Sequence, residues 1–225
     1  MPPRVLLLLP LLTTLRAPAA ASNLQPQQPR LSSFRPGQEW LDTDGAPIRA
    51  HSGGLLADPL SPGSYYWYGS DAYPDGNATL NRKINVYSSD DLYNWKHRGV
   101  AFSMPDVPIC TAPAPSGEAM PCYADRCHVL YNAATRQYVM WCKAKPFVAV
   151  ATSASAVGPF TLADIDGTGS GGVFLPAGHE VGDCTVYQDP LNLRVAYFAL
   201  SIHPSSCALL PCHPTAVFPS LKSYM

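Results

Sequence analysis

The sequence contains little charge, and the two signs are balanced. Its 225 residues include 15 Lys and Arg and 16 Asp and Glu, for a formal net charge of -1. Nucleic acids and anionic lipid surfaces are bound by basic patches or stripes. We therefore predict no nucleic-acid partner, and the composition favours a neutral ligand. It leaves the oligomeric state open.

Long hydrophobic runs are also missing. The run Val5-Leu-Leu-Leu-Leu-Pro-Leu-Leu12 near the start contains Pro10 and is shorter than the roughly 20 residues that a membrane helix needs. It follows the basic Arg4 and precedes the small residues Ala19-Ala20-Ala21. This order is typical of a cleavable secretory signal. We predict a signal peptide over residues 1–21, no membrane span, and a secreted, extracellular protein.

Cysteine pairs with C-x-x-C spacing are absent, although the sequence has seven cysteines. Structural zinc sites usually contain such pairs, so we predict no metal ion, and nothing else in the sequence indicates a cofactor. In an oxidising compartment seven cysteines allow at most three disulfides. The triplet Asn77-Ala78-Thr79 makes Asn77 the candidate N-glycosylation site.

Aromatic and β-branched residues mark a series of strands. Tyr65-Tyr66-Trp67-Tyr68 lies between Pro62-Gly63 and Gly69, which predicts a strand covered on both faces. The pattern of strand, polar turn and strand recurs around Tyr138 and Tyr197. Amphipathic helical stretches are absent from the sequence. We predict an all-β fold of antiparallel units like the blades of a propeller, with Tyr65–Tyr68 as a middle strand.

We divide the sequence into four segments. The signal peptide, 1–21, precedes a lead-in rich in Pro, Gln and Ser at 22–37, which we predict to be flexible. The propeller is predicted over 38–206. From Cys207 onward the alternation is lost, and we predict an irregular tail over 207–225.

Four motifs in the first unit resemble a known enzyme family. They are Leu41-Asp-Thr-Asp-Gly45, Ile48-Arg-Ala-His-Ser-Gly-Gly54, Tyr65-Tyr-Trp-Tyr-Gly69 and Tyr87-Ser-Ser-Asp-Asp-Leu-Tyr-Asn-Trp95. Their order and spacing are similar to the first blade of glycoside hydrolase family 43, above all the branch with the exo-β-1,3-galactanases. The resemblance implies a five-bladed β-propeller with a carbohydrate-cleaving site at its axis. We count about three blades here, which predicts a partial propeller.

The resemblance also implies a function. Such an enzyme hydrolyses O-glycosidic bonds of galactan-like or related polysaccharides, so an oligosaccharide or polysaccharide is the expected partner. Hydrolysis with inversion needs a general acid and a general base whose carboxyl groups lie about 6.5 to 9.5 Å apart. These groups are expected on the innermost strands of different blades.

The resemblance assigns roles to residues near the start of each unit. His51 is expected to bind sugar at the axis, although Ser52 departs from the Ala-His-Gly-Gly of the branch. Asp183, in Gly182-Asp-Cys-Thr-Val-Tyr187, matches an acid that orients the general acid and raises its pKa. The alternatives are a packed, hydrogen-bonded loop histidine at position 51 and a turn residue that caps the strand at position 183.

The second unit starts with a changed motif. Where the branch has Glu-Arg-Pro-Lys, this sequence has Asp125-Arg126-Cys127-His128. Asp125 is predicted to be catalytic and Arg126 to bind substrate, but the Asp side chain is one methylene shorter than Glu. The alternative is an Asp125–Arg126 pair on a solvated loop.

The general acid of the family is a Glu in the fourth blade, about one blade beyond Asp183, and the sequence ends before that position. We do not assign this role to Glu118, which lies in a Pro-rich stretch, or to Glu180, which is too close to Asp183. Two hypotheses stay open: a glycoside hydrolase, or a catalytically inactive carbohydrate-binding propeller fragment.

A disulfide is feasible between Cys127 and Cys142. If Tyr131 pairs with Tyr138 across the predicted turn 132–137, antiparallel counting places Cys127 opposite Cys142. The alternative is two separate thiols that pack as small apolar side chains.

Overall fold

A computed structural model describes residues 29–71, 82–105, 123–144, 147–164, 172–174, 181–188, 196–202 and 216–218. These residues form twelve strands in three antiparallel sheets, and none of them lies in a helix. The all-β prediction is confirmed. No helix able to cross a membrane exists in this part of the chain. The predicted signal peptide and Asn77 lie outside the described residues.

The first sheet has the strand order β1-β2-β3-β4. Its strands are β1 (His51–Ala57), β2 (Tyr65–Ser70), β3 (Lys83–Ser89) and β4 (Lys96–Ser103). As predicted, β2 is a middle strand with both faces covered. Tyr66 and Tyr68 pack against the core shared with the second sheet, whereas Tyr65 and Trp67 pack around the buried Trp95 on the other face. Alternation along the strand therefore separates the two cores.

The second sheet has the order β5-β6-β7-β8, and β9 pairs with β7. Its strands are β5 (Asp125–Asn132), β6 (Gln137–Ala144), β7 (Phe147–Ser153), β8 (Thr161–Leu162) and β9 (Val173–Phe174). The predicted register of the β5–β6 hairpin is confirmed from Tyr131 opposite Tyr138 to His128 opposite Trp141.

The third sheet has the order β10-β11-β12, with β10 (Val181–Gln188), β11 (Ala196–Ile202) and β12 (Ala216–Phe218). The described residues 216–218, which lie inside the segment 207–225, pair with β11. Three residues beside Pro214 and Pro219 are too few to show alternation, so the pattern gave no signal.

The three sheets stack on one another as consecutive blades. Alternate residues of β6 point to different neighbours: Tyr138 and Met140 lie in the core shared with the first blade, and Val139 and Trp141 in the core shared with the third. The first strands of the blades are adjacent, since β5 contacts both β1 and β10. This is the arrangement of a partial propeller whose first strands line the axis.

The described part of the predicted lead-in contacts the first blade. The Arg30 guanidinium forms ion pairs with Asp90 at 2.6 Å and Asp91 at 3.0 Å. The backbone of Leu31 exchanges two hydrogen bonds of 2.7 Å with the side chain of Asn94. Residues 30 and 31 are thus fastened to the loop between β3 and β4.

Candidate functional site

Each first strand has an irregularity near its start. The pairing register shifts by one residue in β1 between His51 and Gly54, in β5 between Asp125 and His128, and in β10 between Val181 and Cys184. A bulge of this kind bends the strand and re-aims its side chains. The predicted site residues lie in or immediately before these three bulges.

Asp125 begins β5, and 18% of its side chain is exposed. Its Oδ1 accepts a 2.9 Å hydrogen bond from the backbone N–H of Arg126 and lies 3.3 Å from the Ser70 hydroxyl. The same oxygen is 3.9 Å from Nδ1 of His51. The structure therefore brings His51 and Asp125 together from two blades.

Asp183 lies in the bulge of β10 and contacts two cations of the second blade. Its Oδ2 is 3.0 Å from Nη2 of Arg126, and its Oδ1 is 3.0 Å from Nζ of Lys143. The hydrogen bond from Lys143, aided by the charges of Lys143 and Arg126, holds the pKa of Asp183 below its ordinary value despite some burial. Asp183 is therefore a carboxylate at neutral pH.

These contacts bear on the alternative interpretations. The guanidinium of Arg126 extends to Asp183, so Asp125 and Arg126 do not form the isolated pair considered above. Asp183 is the third residue of β10 and not a turn before it. The side chain of His51 is 58% exposed, and its Nδ1 lies 2.9 Å from the hydroxyl of Ser52.

His128 occupies the position of the motif's Lys and lies between the three blades. Its ring contacts Gly54, where an added Cβ would come 2.5 Å from Nδ1. Its Nε2 is 3.4 Å from the hydroxyl of Thr185. Burial and the charge of Arg126 lower the pKa of His128, so the imidazole is neutral at neutral pH.

Cys127 and Cys142 are joined by a disulfide, with their Cα atoms 4.2 Å apart. Both lie in the core between the first and second blades. Their neighbours Arg126 and Lys143 contact Asp183 of the third blade. The disulfide therefore joins the two strands at the positions next to the two cations of the site.

Solved structures resemble this chain, whereas no family model and no curated protein matches its sequence. An exo-β-1,3-galactanase from Phanerochaete chrysosporium, solved with galactose, is 27% identical with a TM-score of 0.57. The match covers 75% of this chain and 36% of the other. An exo-β-1,3-galactanase from Clostridium thermocellum is 29% identical with a TM-score of 0.54, over 74% of this chain and 34% of the other.

The resemblance to glycoside hydrolase family 43 is confirmed. A family 43 β-1,3-galactosidase is 27% identical with a TM-score of 0.59, over 77% of this chain and 34% of its own. This chain spans about a third of the length of these family 43 structures. Variants of the Phanerochaete enzyme with one glutamate replaced have also been solved with β-1,3-galactotriose.

The sequence pattern did not indicate two residues of this cluster. Ser70 and Lys143 lie on the second strands of their blades and reach the acids of the next blade. Ser70 lies two positions after Tyr68, and Lys143 lies two positions after Trp141, both in predicted strands. This spacing is the one sequence feature that the two residues share. Nothing local indicates that they contact Asp125 and Asp183.

Two other features lie outside the cluster. A groove of about 910 Å³ at the opposite end of the first blade is lined by residues such as Phe34, Trp40 and Asn94, and by none of the predicted site residues. Within the described ranges, no group of three or more His, Cys, Asp or Glu side chains is arranged to hold a metal ion.

Proposed function

We propose that this protein is a secreted glycoside hydrolase of the family 43 type that acts on O-glycosidic bonds of galactan-like or related polysaccharides. The main support is a chain of contacts between three neighbouring first strands: Asp125 lies beside His51 of the first blade, and the next residue, Arg126, contacts Asp183 of the third. The family 43 relatives carry galactose and β-1,3-galactotriose, which supports an oligosaccharide as the ligand.

The chemistry of the cluster suits a sugar. Carboxylates accept hydrogen bonds from hydroxyl groups, a guanidinium donates them, and a neutral imidazole does both. The formal charges of the two acids, Asp125 and Asp183, equal those of Arg126 and Lys143, so the cluster does not select a strongly charged ligand. The exposed ring of His51 is open to a ligand at the propeller axis.

The two carboxyl groups have different capacities. Asp183 stays ionised because its pKa is lowered, so it is a hydrogen-bond acceptor and not a proton donor. A carboxylate raises the pKa of a neighbouring acid through its negative charge. The positive charges of Arg126 and Lys143 weaken this effect for Asp183. Asp125, beside His51, is the carboxyl group of the cluster left for proton transfer or for orientation of water.

Binding without turnover is the second candidate function. It is favoured because hydrolysis with inversion needs both a general acid and a general base, and Asp183, held in its charged form by two ion pairs, cannot be the acid. It is also favoured by Asp in place of the Glu of the motif, since a catalytic group displaced by about one C–C bond length loses much of its effect. Binding tolerates such a displacement better.

Release of galactose from β-1,3-galactan, measured with the purified full chain, separates the two candidates. Release that is lost in Asp125→Asn and kept in Asp44→Asn, an acid in a turn outside the cluster, supports the hydrolase. Binding of β-1,3-galactotriose without release supports the second candidate. Absence of both release and binding would overturn the proposal.

A further inference from the structure

The second strands of the first two blades end in the same spatial relation to the next blade. Ser70 of β2 lies opposite His51 of β1, and Lys143 of β6 lies opposite Asp125 of β5. Each side chain crosses to an acid of the following blade. The Ser70 hydroxyl lies 3.1 Å from the backbone carbonyl oxygen of His51 and 3.3 Å from Oδ1 of Asp125, and it shares its proton between them. The Lys143 ammonium approaches Asp183 at 3.0 Å.

The bulges produce this repeated contact. In each of these two blades the bulge adds one residue to the first strand relative to the second strand. As a result, Ser70 lies opposite His51 and Lys143 lies opposite Asp125, the residues that precede the bulges. In the second blade the bulge brings Lys143 opposite Asp125, at the boundary with the third blade. The contact therefore depends on the architecture shared by the blades and not on neighbouring positions in the sequence.

The burial of the two side chains indicates that Lys143 determines the position of Asp183. The Lys143 side chain is 12% exposed, whereas that of Asp183 is 61% exposed. A largely buried ammonium needs a carboxylate or equivalent acceptor, since burial of an isolated charge is costly. Lys143 is held by the sheet around it, so it defines the place that the more exposed carboxylate occupies.

We propose that Lys143 and Ser70 are positioning residues, which hold the carboxylates of Asp183 and Asp125 at the axis from the preceding blade. Their importance for a ligand rests on the proposed function, whereas their effect on the two carboxylates does not. The charged groups of the described residues that contact Asp183 are Arg126 from β5 and Lys143 from β6. The lowered pKa of Asp183 agrees with this arrangement.

The test is a carboxyl-carbon NMR titration of the ligand-free full chain with labelled Asp. Lys143→Met keeps an apolar stem of similar length and removes the charge, so the pKa of Asp183 should rise toward its ordinary value. Lys143→Arg should restore the lowered pKa, because it restores the charge. Lys83→Met, at an exposed lysine of β3, is the matched control and should leave the pKa unchanged.

Ser70 has its own readout. Ser70→Ala should shift the carboxyl resonance of Asp125 and leave that of Asp183 in place, and Ser70→Thr should return it toward the wild-type position. An unchanged Asp183 pKa in Lys143→Met, or an unchanged Asp125 resonance in Ser70→Ala, would overturn the respective assignment. If Lys143 and Ser70 only stabilised the fold, a substitution would not affect one aspartate alone, and Lys143→Arg or Ser70→Thr would not reverse the effect.

Binding of β-1,3-galactotriose by the same variants separates this inference from the proposed function. Weaker binding by Lys143→Met with rescue by Lys143→Arg supports both. The titration result without binding by the wild-type protein would overturn the proposed function and leave the positioning role in place. If Lys143→Met binds β-1,3-galactotriose as tightly as the wild-type protein, Lys143 positions Asp183 but does not contribute to binding.

Discussion

The hydroxyl of Tyr138 donates a 2.9 Å hydrogen bond to the carboxylate of Asp58, and this bond joins the second blade to the first inside the core. Both side chains are buried. The same oxygen of Asp58 accepts a 3.0 Å bond from the backbone N–H of Leu60. Burial, followed by the bond to Asp58, raises the pKa of Tyr138 and keeps the phenol protonated.

Tyr138→Phe should lower the free energy of unfolding by roughly 1.5 to 3 kcal/mol, because it removes a buried donor from a charged acceptor. Denaturant unfolding at neutral pH measures the change. Tyr131→Phe is the matched control, since its ring packs on Tyr138 at 5.0 Å but is only partly buried. Equal losses in the two variants would contradict a special role for the Asp58 bond.

His128 should make the protein less stable in mild acid. Its pKa is lower in the folded state than the ordinary value of about 6.5, so the unfolded chain binds the proton first as pH falls. The stabilising contribution is complete above about pH 6.5 and decreases as pH falls toward the folded pKa. His128→Gln should therefore lose less stability than wild type on acidification, as measured by denaturant unfolding.

The exposed His97 provides the control for that experiment. His97→Gln should keep the wild-type dependence of stability on pH. Identical curves for wild type and His128→Gln would show that the protonation of His128 is not coupled to folding.

Two adjacent glycines in the β1 bulge should respond differently to a methyl group. At Gly53 an added Cβ collides with the backbone carbonyl of Tyr68, which cannot rotate away. At Gly54 it meets the ring of His128 at 2.5 Å, and a side chain has more freedom to move. Gly53→Ala should cost about 3 kcal/mol and Gly54→Ala less. A larger loss of melting temperature in Gly54→Ala would contradict this order.

The disulfide should contribute to stability. It closes a loop of 15 residues between Cys127 and Cys142, for which the loss of chain entropy predicts about 3 kcal/mol. The double variant with Ala at both positions should lose about this amount in unfolding experiments. Cys184→Ala, at a buried thiol whose pKa burial raises to about 12, measures the cost of lost packing alone. Equal effects in the two variants would argue against the crosslink.

Strand positions followed from the sequence where runs of aromatic and aliphatic residues are unbroken. Tyr68 and Tyr138 stand in runs whose successive residues face different cores, so the strands, their coverage and the β5–β6 register were predictable. The three-residue strand Ala216–Phe218 was not, because so short an edge strand has no period to detect.

The site was only partly predictable because it depends on the bulges and on contacts between blades. An unbroken register counted from Tyr131 and Tyr138 would place Asp125 opposite Ala144, whereas the bulge places it opposite Lys143. No local pattern predicts the extra residue. The pairing of Arg126 with Asp183, 57 residues away, requires the packing of two blades and has no counterpart in sequence spacing.

The central claim is that the cluster around His51, Asp125 and Asp183 binds a β-linked galactose oligosaccharide. Titration calorimetry with β-1,3-galactotriose tests it most directly, with His97→Ala as the control for His51→Ala. We predict that the wild-type protein and His97→Ala bind alike. His51→Ala should bind more weakly by a factor of roughly 3 to 10, the effect of one lost hydrogen bond. No binding by the wild-type protein, or equal affinity in His51→Ala, would contradict the account.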